Sequence, residues 1–198
     1  NTGTSVSEAI AIGRLAQRKS TADGNISIGY QAHYDLTSGG TNIALGNSAG
    51  ANQTTGNNNV CIGYDAGGDM TVSSANVFVG KSAGDNVSGS FSNYNTAVGA
   101  EALSAFSNTA GANTALGYQA GDNITTGSNN TCVGYLADAS SATVSNEITL
   151  GNSSVTSLRI PGLQSGASDG QVLTFNSTNG NITLADAGGA SAINDLSD

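Results

Sequence analysis

Tryptophan is absent from this 198-residue sequence, proline and histidine occur once each, and the six Tyr and four Phe amount to 5% of the chain. A conventional core of large side chains cannot be built from so few. Charge is scarce as well, at 10% of residues where about a quarter is usual. Five basic residues stand against fourteen acidic ones, for a net charge of -9, and Arg14, Arg18 and Lys19 sit together near the start. That leaves no basic stripe for a phosphate backbone, which excludes nucleic acid as a partner. The acidity reads as solubility and mutual repulsion of long particles. No apolar run approaches the roughly eighteen residues of a membrane-spanning helix, so no membrane insertion is expected. An initiator Met and a signal peptide are both missing, so the chain is expected to be processed, a fragment or a segment of something longer.

What the sequence has is glycine, 28 residues of it, and a hydrophobic fraction of 37% made mostly of Ala, Val, Ile and Leu. Aligning the glycines exposes a repeat. The copies are EAIAIGRLA, NISIGYQA, NIALGNSAG, NVCIGYDAG, NVFVGKSAG, NTAVGAEAL, NTALGYQAG, NTCVGYLAD and EITLGNSSV. Their anchoring glycines are Gly13, Gly29, Gly46, Gly63, Gly80, Gly99, Gly117, Gly134 and Gly151, separated by 16 to 19 residues. Such a period is the mark of a repeat architecture, and it is too short to hold a helix in each unit.

Each copy has the same internal logic. A branched aliphatic precedes the glycine (Ile12, Ile28, Leu45, Ile62, Val79, Val98, Leu116, Val133, Leu150). Two residues earlier stand Ile10, Ile26, Ile43, Val60, Val77, Thr96, Thr114, Thr131 and Ile148. Period two with β-branched residues predicts a short strand, and the aliphatics are expected to fill the inside of a coil. The residue between them is small except at Phe78, and is expected to point to the other side, leaving a flat face that another chain can approach. The glycine supplies a bend, Ala follows three residues later in eight of nine copies, and Leu36, Met70, Val87, Phe106 and Ile124, seven residues on, are expected in a second strand on the opposite wall. Asn25, Asn42, Asn59, Asn76, Asn95, Asn113 and Asn130 precede the strands. Stacked about 4.8 Å apart, they are expected to hydrogen-bond as a ladder.

The predicted fold is therefore all-β: a parallel β-solenoid, or β-roll, of about nine coils over residues 1–154, some 40 Å long at the strand spacing. A small β connector is expected over 155–186, with SSVTSLRI as a last strand and QVLTFNSTNGNITLAD as a hairpin whose loop lies around Ser177 to Gly180. Residues 187–198, rich in Gly, Ala and Ser, read as an extended linker.

The unit N-[IVT]-x-[ILV]-G-x-x-A, repeated over residues 9–154, resembles the NSVAIG-type head repeat of trimeric autotransporter adhesins of the YadA kind. It is similar also to the NTAIGYQAG-type repeats of phage tail-fibre proteins. The resemblance implies a left-handed β-roll, a homotrimer about a common axis, and a place in a virion tail fibre beside other tail proteins. It further implies a structural and adhesive role in host attachment, extending or presenting a site for a glycan or protein receptor on the host cell surface. The alternatives are a bacterial surface adhesin head and a tailspike-like polysaccharide depolymerase. The adhesin repeat is nearer fourteen residues, so the 17-residue coil here is wider.

His33 is the sole histidine, so a Ser-His-Asp or Cys-His constellation has one possible member, and it reads as an ordinary surface residue in a loop. Asp65, Asp69, Asp85, Glu101, Asp122 and Asp138 recur near the bends and read as solvated turn carboxylates; a pair of them would be needed for glycoside hydrolysis. No calcium-binding repeat or EF-hand loop occurs, so neither metal nor cofactor is expected, and no enzyme activity. Cys61 and Cys132 share one strand position four coils apart, roughly 19 Å, and are expected to pack and not to bridge. Tyr30, Tyr64, Tyr118 and Tyr135 each follow an anchoring glycine, as an inert ladder or a sugar-binding strip. An ice-binding face would need a repeated Thr-x-Thr, which is not there.

Overall fold

The computed structural model describes residues 8–85, 92–105, 107, 110–159, 171–175 and 182–186. It divides into two compact units, residues 1–154 and residues 155–198.

The first unit is a parallel β-solenoid. Nine three-residue strands, β1 (Ile10–Ile12), β2 (Ile26–Ile28), β3 (Ile43–Leu45), β4 (Val60–Ile62), β5 (Val77–Val79), β6 (Thr96–Val98), β7 (Thr114–Leu116), β8 (Thr131–Val133) and β9 (Ile148–Leu150), pair in sequence order in one sheet. Each residue pairs with its counterpart one repeat on, as Ile43 with Val60, Ala44 with Cys61 and Leu45 with Ile62. Nine strands with eight connections make about eight turns, and no helix occurs among the described residues. The expected second strand on the opposite wall does not form around Leu36, Met70 or Ile124; that part of the coil is turn, and its amides bond to the next coil much as the strands do: Thr37 N donates to Thr54 O (2.9 Å) and Thr54 N to Thr71 O (2.7 Å).

The orientation of the strands is the reverse of the expectation. The middle residue faces the lumen: Ser27, Ala44, Cys61, Phe78, Ala97, Ala115 and Cys132 are all buried. The flanking aliphatics face out, with Ile12 58%, Leu116 49%, Ile148 72% and Leu150 56% exposed. The cause is the width of the coil. Seventeen residues close around a lumen that also takes in the Ala three past the glycine (Ala32, Ala49, Ala66, Ala83, Ala102, Ala120, Ala137), the Asn row and one larger side chain from the far wall, such as Leu36, Met70 or Ile124. There is no room for two branched side chains more per layer, so the small middle residue takes the inner position.

Phe78 tests that explanation, because it is a large side chain at an inner position. Glycines beside it make the space: a Cβ on Gly84 would come within 2.7 Å of the Phe78 ring, and one on Gly67 within 3.1 Å. Leu103 is accommodated in the same way, a Cβ on Gly121 reaching 3.0 Å from its Cδ2. Close packing at constant layer volume therefore decides where the second glycine of GxxAG appears. Val87 and Phe106 of the expected second wall lie outside the described residues.

In the second unit β10 (Gln171–Phe175) and β11 (Ile182–Asp186) form the antiparallel hairpin, with Gln171 opposite Asp186 and Phe175 opposite Ile182. The loop around Ser177 to Gly180 and residues 187–198 lie outside the described residues. The expected strand over SSVTSLRI does not form in its described part, residues 153–159, which carry no ladder pairing.

Candidate functional site

Three longitudinal features run the length of the solenoid: an internal amide ladder, an outward aliphatic stripe and a row of exposed side chains at the corner after the glycines.

The ladder begins with the glycines. Gly117 has φ 137°, and a Cβ there would stand 2.7 Å from the carbonyl carbon of Gly134, so the coils touch backbone to backbone at this corner. Next to it run Asn25, Asn42, Asn59, Asn76, Asn95, Asn113 and Asn130, every one buried. Each Oδ1 accepts the backbone N–H of the next: Asn42 N donates to Asn25 Oδ1 at 2.8 Å, Asn76 N to Asn59 Oδ1 at 3.0 Å, Asn130 N to Asn113 Oδ1 at 2.9 Å. Each Nδ2 donates to a carbonyl of the turn that leads into the next coil, as Asn42 to Gly56 O (2.9 Å) and Asn113 to Gly127 O (2.9 Å). Nδ2 of Asn59, Asn76, Asn95 and Asn113 also reaches the preceding Oδ1 at 3.1 to 3.4 Å. The amide thus ties each coil to the next at two points, which holds the preceding residue (Thr41, Asn58, Ala75, Tyr94, Ala112, Asn129) in the left-handed region at φ 57° to 63°.

The last rung was not anticipated. Glu147 stands where the next Asn would be, its N–H given to Asn130 Oδ1 (3.0 Å) and its carboxylate accepting from Ser140 N (2.7 Å) and Ser140 Oγ (2.6 Å). Those bonds hold its carboxyl below the usual range. The signal was in the alignment, since EITLG places Glu147 in the Asn column.

His33 corrects the expectation of a surface residue. It is fully buried, with Ser27 Oγ 2.8 Å from its Nδ1 and its backbone N–H donated to Ala49 O (3.0 Å). Burial alone pushes its pKa down to about 4, so it is neutral in the folded chain. Gln17 and Gln53 are buried near it, and Gln17 Nε2, His33 Nε2 and Gln53 Oε1 have no hydrogen-bond partner. The Ser27–His33 pair is sealed from solvent, which denies it the access a nucleophile needs.

The turn carboxylates are half-buried and grouped, not singly solvated. A Cβ on Gly68 would lie 3.0 Å from both Asp65 Cγ and Asp85 Oδ1, so these two converge on that glycine. Burial first, then the charges of Asp65 and Asp69, push Asp85 up to about 6; burial and Asp69 raise Asp65. On later coils burial, Asp138 and Glu101 raise Asp122. Among the described residues no group of three or more His, Cys, Asp or Glu is arranged to hold a metal ion. Cys61 and Cys132 are buried free thiols, and burial pushes Cys61 up to about 12, so neither presents a thiolate.

At the corner after the glycines, the structure brings two of the four tyrosines together. Tyr118 and Tyr135 stack with centroids 5.5 Å apart and planes 16° from parallel. Tyr30 lies under the Arg14 guanidinium at 5.9 Å, and Tyr64 is exposed between Asn47 and Lys81 in the row. The early basic cluster is occupied locally: Arg18 donates to the Tyr34 hydroxyl (2.6 Å) and Lys19 pairs with Asp35.

On the sheet's outer face, the two rows of strand residues hold fifteen aliphatic side chains and Thr96, Thr114 and Thr131, none of them buried. No helix among the described residues is long and apolar enough to cross a membrane. Comparison with protein-family models, curated proteins and solved structures finds no match. Function must therefore be argued from these surfaces.

Proposed function

We propose that this chain is a structural and adhesive segment of a homotrimeric phage tail fibre, which extends the fibre and presents a receptor-binding surface to the host cell. The observation that carries the reading is the outward aliphatic stripe. Fifteen aliphatic side chains in two rows, none of them buried, make a contiguous apolar stripe of the kind that marks a protein interface. Cyclic closure about a threefold axis turns three such stripes inward and hides them, and the resemblance of the repeat to fibre and adhesin heads supplies the number three. The small strand-centre residues play no part in that interface, because they line the lumen. The same assembly would serve on a bacterial surface as an adhesin head.

Native mass measurement tests the proposal: a species three times the 19.4 kDa chain is expected. Ile62→Glu, placed outward at the centre of the stripe, should release monomers that keep the β-sheet circular dichroism of the parent. A parent chain that is monomeric at micromolar concentration overturns the reading.

A polysaccharide depolymerase is the second reading, favoured by one observation. Asp85, raised to about 6 beside Asp65 and Asp69, has the character of a carboxylic acid able to give a proton near neutral pH. Release of reducing ends from host capsule, lost in Asp85→Asn, would decide for it.

A further inference from the structure

The residues that follow the anchoring glycines run Arg14, Tyr30, Asn47, Tyr64, Lys81, Ala100, Tyr118, Tyr135, Asn152. Backbone bonds fix their order in space: Glu101 N donates to Lys81 O (2.8 Å), Gln119 N to Ala100 O (3.0 Å) and Leu136 N to Tyr118 O (3.0 Å). Every position carries a ring, an amide or a long cation except Ala100, which offers a methyl group. Two coil rises separate Lys81 from Tyr118, about 9.6 Å along the axis, and Ala100 floors the space between them.

The walls of that gap are chemically distinct. Tyr118 and Tyr135 stack, so Tyr135 covers one face of Tyr118, and the Tyr118 residue still keeps 42% of its surface exposed. Tyr30 has its Arg14 partner instead, and Tyr64 stands between Asn47 and Lys81 with no second ring beside it. Beside the gap the Glu101 carboxylate is held at both oxygens, Oε1 accepting from Lys81 Nζ (3.3 Å) and Oε2 from Gln119 Nε2 (2.8 Å). Each oxygen keeps acceptor capacity, and Gln119 keeps its own carbonyl and a second N–H. An open aromatic face, electron-rich at its centre, beside a fixed acceptor and an amide is suited to a ring that shows C–H bonds on one side and hydroxyls at its rim.

We propose that the Ala100 gap is a subsite for one neutral pyranose of a cell-surface glycan, stacked on Tyr118 and hydrogen-bonded by Glu101 and Gln119. Neutral sugars are favoured because the Lys81 charge is already taken by Glu101, and because Asp122 lies close enough to Glu101 for their charges to oppose. An acidic sugar would add a third negative charge there. The inference rests on the display reading above for its biological sense, although the two fail separately: native mass decides the assembly, and sugar titration decides the gap.

The test uses the full chain and a panel of methyl glucosides, galactosides, mannosides and N-acetylglucosaminides at millimolar concentration, read by NMR of the tyrosine rings and by saturation transfer to the sugar. At least one is expected to shift Tyr118 and Tyr135 and to leave Tyr64 in place. Ala100→Tyr fills the gap with the residue four other coils already carry at this position, so the fold should be unchanged while binding falls about tenfold or more. Glu101→Gln should weaken binding without moving the ring contacts. A panel in which no sugar perturbs Tyr118, or an Ala100→Tyr chain that binds as well as the parent, overturns the proposal.

Discussion

Replacing Asn76 by Ala should be among the most damaging single changes available to this chain, although it removes only an amide. Asn76 Oδ1 accepts from Asn95 N (2.9 Å) and Asn95 Nδ2 (3.1 Å), and its Nδ2 donates to Ser92 O (2.9 Å) and Asn59 Oδ1 (3.2 Å). Asn59, Asn76, Ser92 and Asn95 are all fully buried, so no solvent can replace the lost partners. Alanine removes the partners of at least two buried backbone groups, the Asn95 N–H and the Ser92 carbonyl. At about 1–3 kcal/mol for each buried polar group so left, the cost is about 2–6 kcal/mol. That is a large share of the roughly 5–15 kcal/mol that holds an ordinary domain together. Asn57→Ala is the matched control, because Asn57 is exposed and its bonds to Gly40 N (2.8 Å) and Thr55 O (3.2 Å) can pass to water. Urea denaturation at equal chain concentration is the assay, since assembly would link stability to concentration. An Asn76→Ala chain within about 0.5 kcal/mol of the parent, or indistinguishable from Asn57→Ala, would refute the claim that the ladder holds the coils together.

Two further outcomes follow from the same geometry. Gly117→Ala should lower the melting temperature sharply, by at least ~2 kcal/mol of stability, because its Cβ meets the backbone of Gly134 at φ 137° and no side chain can move aside. Gly111→Ala, whose Cβ would reach 3.1 Å from Asn93 O at an ordinary φ, should cost clearly less. The folded pKa of His33, about 4, lies below its ordinary value of 6.5, so the unfolded chain takes up the proton first. Its contribution is therefore intact above about 6.5 and is lost as pH falls toward 4, amounting to ~3 kcal/mol. Asp85, raised to about 6, acts with the opposite sign in that window, stabilising the folded state as it protonates. Removing the imidazole in His33→Asn should thus flatten or reverse the loss of stability between pH 6.5 and 4, read as the slope of denaturation midpoints; an unchanged slope would contradict the burial.

Much of the architecture was legible before any coordinates. The glycine period, the three-residue strands with parallel in-register pairing, the Asn column and the C-terminal hairpin all follow from local patterns, because stacked coils place equivalent residues above one another and each column can be read on its own. What the pattern gave wrongly was sign, the aliphatics being expected inside and lying outside. A strand has two faces, and period two says that the aliphatics share one without saying which is inside. The closure of a 17-residue coil decided that: its lumen takes the middle residue of each strand, small in most coils and Phe78 in one, together with the larger groups of the turns, which sends Ile12, Ile62 and Leu116 outward. The same closure buried His33 and set Asp65 and Asp85 around Gly68. These placements depend on which coil lies above which and on how much volume each layer holds, quantities that belong to the wound chain. The sequence alone determined that the chain coils and where each turn begins; the tertiary structure decided which side of every strand meets water, because only packing compares the volumes of residues a full turn apart.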